Sequence, residues 1–496
     1  MFKENNRYRV AVIGAGFSGL ASSASLALNG VEVDVFEKNS QPGGRARNFK
    51  AAGFTFDMGP SWYWLPDVFE RFFDRFGYSV SDLYDLKRID PSYRMFFGRN
   101  DFHDVPADIP GIYELFELLE PGSSKKLKKF LDDAEYKYNL GVKSVIFKPG
   151  LNFFEFVDYR LMKGIYRLDF FRSMTSYIGT TFKNPKLRRI LEFPVLFLGS
   201  APSSTPALYS LMNYADMVLG TWYPMGGFYK VIESLVKLNN ELGVRIHLSQ
   251  PVNQLDFTGK SISGIRTSDS FYSSNAVVGS ADYEFIEREL VPENLQTYSP
   301  SYWNGRKMAP SALLFYIGLN KKLKNLIHHN LLFDEDFEKH ASEIYEYPQW
   351  PKSPAMYISV SSKTDPSVAP QGCENLVVLI PVASGLVDTD EIRSAYYEKV
   401  ITRLEYITGE PIRDFVVFKR SYAHHDFERD YNAFKGNAYG LANTLSQTAF
   451  LKPKMRSRKI KNLFYCGQLT SPGPGVPPSI ISGEVAAGLV LKYLKH

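Results

Sequence analysis

The stretch "VAVIGAGFSGLASSASLALNGVEVDVFEK" sets three glycines, Gly14, Gly16 and Gly19, between an apolar run and a helix of small residues, and closes on Glu37 with Lys38 beside it. Each residue type has a task at its position. Gly14 permits the tight turn out of a strand, Gly16 lets a pyrophosphate approach the backbone, and Gly19 lets helix and strand pack closely. The helix then presents unpaired N–H groups and the positive end of its dipole to phosphate oxygens. Glu37 ends the alternating strand "VEVDVF" about 20 residues further on, where a carboxylate accepts from ribose hydroxyls. Together these residues specify a site for an adenine dinucleotide, and the charge of Glu37 disfavours a 2′-phosphate.

Three further clusters have the chemistry to extend that site. "NSQPGGRARNF" places Gly43, Gly44 and Arg45 just after the second strand, offering open amides and a guanidinium able to clamp a diphosphate. "GFTFDMGPSWYW" adds a turn at Gly59 and Pro60, followed by Ser61. Near the other end, "GQLTSPGPGVPPS", Gly467 to Ser479, is a Gly/Pro loop feeding a last helix. Glycine lets backbone approach another body and proline stiffens the chain, so such a loop turns a corner or holds something.

The elements that must position these clusters are spread along the chain. "GTWYPMGGFYKVIESLVKLNNELGVRIHLSQPVNQLDF" reads as a Gly-turn, a helix stopped at Gly243 and the strand "VRIHL", leading on to Val252. An apolar strand follows at 276–280. Residues 1–110, 217–300 and 438–496 are therefore expected to form one discontinuous cofactor domain. The segments 111–216 and 301–437 are expected to form a second lobe, helical in its first part. Its second part carries strand-like runs such as "ALLFYIGLN" and "NLVVLIPVAS", then the amphipathic helix "DEIRSAYYEKVITRLEYI".

This arrangement resembles the large FAD superfamily shared by amine oxidases, protoporphyrinogen oxidases, Rab GDP-dissociation inhibitors and carotenoid desaturases. The resemblance implies an α/β fold: a Rossmann-like FAD-binding domain of the GR2 flavoprotein type, with an α+β substrate lobe of mixed sheet and helices. It places the ADP half of FAD on the N-terminal unit, the "GGR" segment along the diphosphate, and the backbone of Val252 at the adenine. Gly467, Gly475, Val476 and Pro477 then fall at the flavin end. Within the superfamily, "GFTFDMGPSWYWLPDVFE", "YSLMNYADMVLGTWYPMGG" and the C-terminal run through Gly467, Thr470, Pro472, Gly473, Gly475 and Val476 resemble the bacterial-type phytoene desaturases. Gln468, Leu469 and Ser471 depart from that pattern. The implied activity is FAD-dependent introduction of C=C bonds into an acyclic carotenoid, phytoene-type desaturation toward lycopene, with a hydride passing to flavin and then to oxygen or a quinone. The alternative within this chemistry is 3,4-desaturation of a 1′-hydroxycarotenoid; a flavin amine oxidase is more distant.

The bulk numbers fit such a reading without selecting it. Among 496 residues, Phe 37, Tyr 31 and Trp 5 give an aromatic share of 15%, which suits a greasy pocket, a large core or a membrane-facing surface. A net charge of +5 with only two short basic clusters, from Lys125 and from Lys452, argues against nucleic acid; both clusters read as solvated faces, with lipid headgroups as a second reading. Cys373 and Cys466 are the only cysteines, so no disulfide framework and no metal site is expected. The short polar lead leaves no room for a signal peptide and there is no long apolar run, so a cytoplasmic protein docked peripherally on the inner face of the cell membrane is expected. "LRRILEFPVLFLGS", Leu187 to Ser200, reads equally as a membrane-dipping surface or as a core helix.

No general base stands out. Asp158 and Arg160, near Glu155 in an aromatic setting, are the weak catalytic candidates. His424 and His425, read as strand residues, would point to opposite faces.

Overall fold

The apolar run Val10–Ile13 is buried throughout because its strand, Arg9–Ile13, lies in the middle of a five-stranded parallel sheet covered on both faces. The computed structural model describes residues 8–152, 155, 169, 172–196 and 199–495. The sheet runs Leu463–Tyr465, Ala276–Gly279, Arg9–Ile13, Glu32–Phe36, Arg245–His247. One face carries the helices Phe17–Ala27, Tyr229–Glu241 and Val476–Leu494, joined to it in one apolar core. The other face packs against the antiparallel strands Gln254–Thr258, Ser261–Arg266 and Phe271–Ser273. The first and last helices touch closely because Gly483 has no side chain: a Cβ there would stand 2.3 Å from the Ser18 carbonyl oxygen.

Pairing of Leu463–Tyr465 with Ala276–Gly279 brings the two ends of the chain together. The Cys466 amide continues it, donating to the Gly279 carbonyl at 3.0 Å. The Gly/Pro loop therefore starts beside the glycine turn of the first strand.

A seven-stranded mixed sheet forms the second lobe, ordered Val416–Tyr422, Ser311–Leu319, Glu374–Val382, Met356–Ser359, His329–Leu332, Tyr93–Gly98, Asp101–Val105. Every residue of Ser311–Leu319 is buried. The strands Tyr93–Gly98 and Asp101–Val105 fall within the segment 1–110 but join this sheet, through parallel pairing of Tyr93–Gly98 with His329–Leu332. Asp390–Thr408 packs on the sheet as a helix, opening on a Thr389 cap and closing at Gly409 with φ +69°. The helices Ile109–Leu119, Ser123–Leu140, Met174–Thr181, Pro185–Leu196 and Leu211–Met217 build a separate apolar cluster.

Pro185–Leu196 buries Leu187, Ile190, Leu191, Phe193 and Val195, which is the core reading of that segment. Its arginines hold protein partners: Arg188 donates to the Phe182 carbonyl and Arg189 pairs with Glu192 and Glu338. His424 and His425 begin a helix, His424–Tyr431, and are not on a strand. The Ala423 amide bonds to the Asp426 carboxylate at 3.0 Å and starts that helix, while His424 Nε2 donates to the Ala383 carbonyl at 2.8 Å. Among the described residues no helix is long and apolar enough to cross a membrane.

Candidate active site

At the first strand's end the chain turns at Gly14, whose φ of +103° only glycine adopts without strain. The next glycines are empty for different reasons. A Cβ on Gly19 would lie 2.0 Å from the Gly14 carbonyl oxygen, so Gly19 exists to let helix and strand touch. A Cβ on Gly16 would meet nothing within 4 Å; the backbone there faces an open cavity at a helix N-terminus, the geometry that receives phosphate. Glu37 is already engaged: Oε2 accepts from the Ala15 amide at 2.9 Å, and Oε1 accepts from the Asn39 amide at 2.9 Å and its side-chain nitrogen at 2.8 Å. A carboxylate has about four acceptor positions, so one remains, on Oε2, for a ribose hydroxyl.

Arg45 is set opposite the glycine turn by its own two glycines, Gly43 at φ +114° and Gly44 at +55°. The Gly43 amide donates to the Ala15 carbonyl at 2.7 Å, tying the two loops together. The guanidinium is buried, donates from Nη2 to the Asn437 carbonyl at 3.1 Å and lies over the Tyr431 ring at 5.1 Å. Among the described residues its Nε has no hydrogen-bond partner. Burial pulls the pKa of this guanidinium down, and the Asp282 carboxylate opposes that shift. An arginine with an orphaned N–H beside the open backbone of Gly16 fits a diphosphate bridge of FAD, which would supply both the missing acceptor and negative charge.

Gly59 carries the next turn, close against Arg45: a Cβ there would stand 2.3 Å from the Arg45 carbonyl oxygen. It delivers Pro60 and Ser61 to the cavity wall. On the opposite side, the last helix opens at Gly475, with φ +114°. Pro477 and Pro478 remove two first-turn donors, so the N–H groups left at that end are those of Gly475 and Val476.

All the residues expected to touch the cofactor, except Gly19, line one cavity of about 1380 Å³. Lys38 is among them, but its ammonium is committed to the Arg429 carbonyl and Asn432 Oδ1, both at 2.7 Å. Val252 is buried in the wall near Asn253. Away from these residues the cavity extends between aliphatic side chains of the helices, including Leu140, Ile146 and Met212, and of the sheet, including Leu314 and Leu379. Its volume exceeds the 300–1,000 Å³ usual for a ligand pocket.

Asp158 and Arg160 lie outside the described residues. Glu155 serves its own turn, accepting from the Leu151 amide at 3.3 Å. Cys466 lines the cavity, but burial pushes its thiol up to about 12, so it is no ready nucleophile.

Two features escaped the sequence reading. Lys452 opens a basic cluster read as solvated, yet it is buried; among the described residues its Nζ has no hydrogen-bond partner, and it lies 3.0 Å from where a Cβ on Gly473 would stand. Burial lowers this ammonium to about 8. Nothing in the local pattern "LKPKMRSRK" separates it from its exposed neighbours. The second feature is a polar chain from Ser61 through Tyr357 to His329; the pair "HH", whose second member opens the strand His329–Leu332, is its only trace in the sequence.

Comparison with known proteins agrees with this construction. The family model for flavin containing amine oxidoreductase matches residues 17–491. The chain is 41% identical to a carotenoid 3,4-desaturase of Haloarcula japonica, over 97% of this chain and 98% of that one. It is 32% identical to a 4,4′-diapophytoene desaturase of Staphylococcus haemolyticus, over 98% and 99%. A crystal structure of an oxidoreductase from Methanosarcina mazei shares the fold, with a TM-score of 0.65 at 16% identity, covering 98% of this chain and 100% of that one. With an anion cradle that fits the FAD diphosphate and relatives spanning nearly its full length, this FAD-dependent oxidoreductase belongs to the flavin-containing amine oxidoreductase family, among its carotenoid desaturases.

Proposed function

We propose that the chain desaturates an acyclic carotenoid of the phytoene type. The observation that carries this reading is the continuity of the cavity: one end is walled by the glycine turn, Glu37 and Arg45, and the other by aliphatic side chains. A long apolar polyene is the substrate class that such a wall accepts without leaving buried polar groups unpaired. FAD, when bound, supplies the hydride acceptor. The chain's own residues hold and neutralise the diphosphate through Arg45 and the Gly16 backbone, fix the ribose through Glu37, and exclude water through the aliphatic wall. Ser61 on one side and Gly475 with Val476 on the other would bracket the flavin end.

A second reading, 3,4-desaturation of a 1′-hydroxycarotenoid, is favoured by the similarity to the Haloarcula japonica carotenoid 3,4-desaturase. Either substrate resides in a bilayer, so the enzyme would work docked on the inner face of the cell membrane, with oxygen or a quinone as final acceptor.

The two readings separate in bacterial strains that accumulate either phytoene or a 1-hydroxylated acyclic carotenoid. The proposal expects new absorption bands at longer wavelength in the phytoene strain. Bands confined to the hydroxylated strain would transfer the assignment to the second reading. Unchanged pigment in both, from a flavin-loaded protein, would sink both.

A further inference from the structure

Desaturation removes a hydride from one carbon and a proton from its neighbour, and the cavity must dispose of that proton. Its walls near Ser61 carry one polar chain that leads out of it. Ser61 and Tyr357 both line the cavity, and the Tyr357 hydroxyl lies 3.0 Å from Ser61 Oγ. The same hydroxyl lies 2.7 Å from Nδ1 of His329, which is fully buried behind it. The sheet register builds this contact. His329 pairs with Ser359 and Leu331 with Tyr357, so His329 and Tyr357 are diagonal neighbours on one face of adjacent strands. Ser61 is delivered from the other lobe by the turn at Gly59 and Pro60.

The Tyr357 hydroxyl bridges two groups, donating to Ser61 Oγ and meeting His329 Nδ1. Among the described residues His329 Nε2 is buried without a partner, the kind of unsatisfied group that native interiors rarely tolerate without a use. The Trp62 ring lies parallel over the imidazole, with centroids 4.0 Å apart and planes at 12°, where it would stabilise a cation on that ring.

We propose that Tyr357 and His329 form a proton relay that removes the proton lost by the carotenoid, with Ser61 holding the Tyr357 hydroxyl in place. The inference rests on the desaturase reading above. In the balanced step the hydride leaves one carbon for the flavin. The neighbouring C–H bond breaks, and its electron pair becomes the new C=C bond. The Tyr357 hydroxyl, which rests donating to Ser61 Oγ, turns its proton to His329 Nδ1 as the Tyr357 oxygen takes the proton from the carbon. Tyr357 ends neutral, and His329 ends as the imidazolium. Burial, with His328 beside it, holds the ring well below the usual histidine range, so it waits neutral with a nitrogen able to accept. A weak base suffices, because a carbon next to a developing allylic cation is a far stronger acid than imidazolium.

The test uses FAD-loaded enzyme, wild type and the variants Tyr357→Phe and His329→Gln, mixed anaerobically with phytoene in phospholipid vesicles in H2O and in D2O. The readout is loss of flavin absorbance in a single turnover. The proposal expects slower loss in D2O for wild type. Both variants should keep bound FAD but react about 10²–10⁴-fold more slowly, the range for a lost proton acceptor, and Tyr357→Phe should lose the isotope effect. Variants within about three-fold of wild type, or slow variants that keep the wild-type isotope effect, would overturn the relay while leaving the desaturase reading intact. Wild-type enzyme inert toward phytoene and hydroxylated carotenoids alike would overturn the desaturase reading, and the relay with it.

Discussion

Gly19→Val is expected to yield a protein purified without FAD. The Cβ of any larger residue would stand 2.0 Å from the Gly14 carbonyl oxygen, a contact with backbone that no rotamer relieves. The helix Phe17–Ala27 must then lift off the strand Arg9–Ile13, and it cannot do so alone: the last helix packs on it through the Ser18–Gly483 contact. Overpacking of this kind costs about 1–3 kcal/mol, occasionally more, and it also moves the amides that face the phosphates. A drop in the thermal midpoint and loss of flavin absorbance in the purified protein should therefore appear together. Gly488→Ala is the contrast. It lies in the last helix, where a Cβ would meet nothing within 4 Å, and should keep its flavin. A yellow Gly19→Val protein with native stability would contradict the packing argument.

Arg45→Met should weaken FAD binding by about 10²–10⁴-fold, the consequence of losing one partner of a buried charge pair at roughly 3–5 kcal/mol. Asp282 accepts from the amides of Glu284, Phe285 and Phe434 and is buried; burial raises its pKa and Arg45 opposes the rise. Without Arg45 the carboxyl rises further. A raised carboxyl contributes stability below its unfolded value, about 3.9, and loses it as pH climbs through the folded value. The variant should therefore lose stability with rising pH over a wider window than wild type. Titration of flavin fluorescence gives the affinity, and melts across pH give the linkage. Arg45→Lys keeps the charge but not the planar fork, and should fall between the two. An Arg45→Met affinity within about five-fold of wild type would remove this residue from the diphosphate site.

The parts of this protein that were legible in its sequence are those written within short windows. The glycine turn, the strand ending at Glu37 and the Gly/Pro loop before the last helix each have a local composition tied to one backbone geometry. The parts that were not legible depend on distant partners. Tyr93–Gly98 looks like any half-buried strand until His329–Leu332, more than 200 positions away, supplies its parallel neighbour. Lys38 sits beside Glu37, yet its ammonium is claimed by the end of the helix His424–Tyr431. His424 and His425 look like strand residues until Asp426 bonds back to the Ala423 amide and turns the chain into a helix. Lys452 shares the composition of a solvated face yet is buried, with its ammonium against the Gly473 backbone. The cavity itself is the clearest case, since its walls come from both lobes and no window of sequence contains them.

The most direct measurement is stoichiometric. FAD-loaded protein is mixed anaerobically with phytoene in vesicles, and flavin and polyene spectra are recorded together. The account predicts that flavin absorbance falls as longer-conjugation bands grow, one new double bond for each flavin bleached, with turnover stopping there until an acceptor is admitted. Polyene bands that grow while the flavin keeps its absorbance, or flavin that bleaches with no change in the polyene, would contradict it.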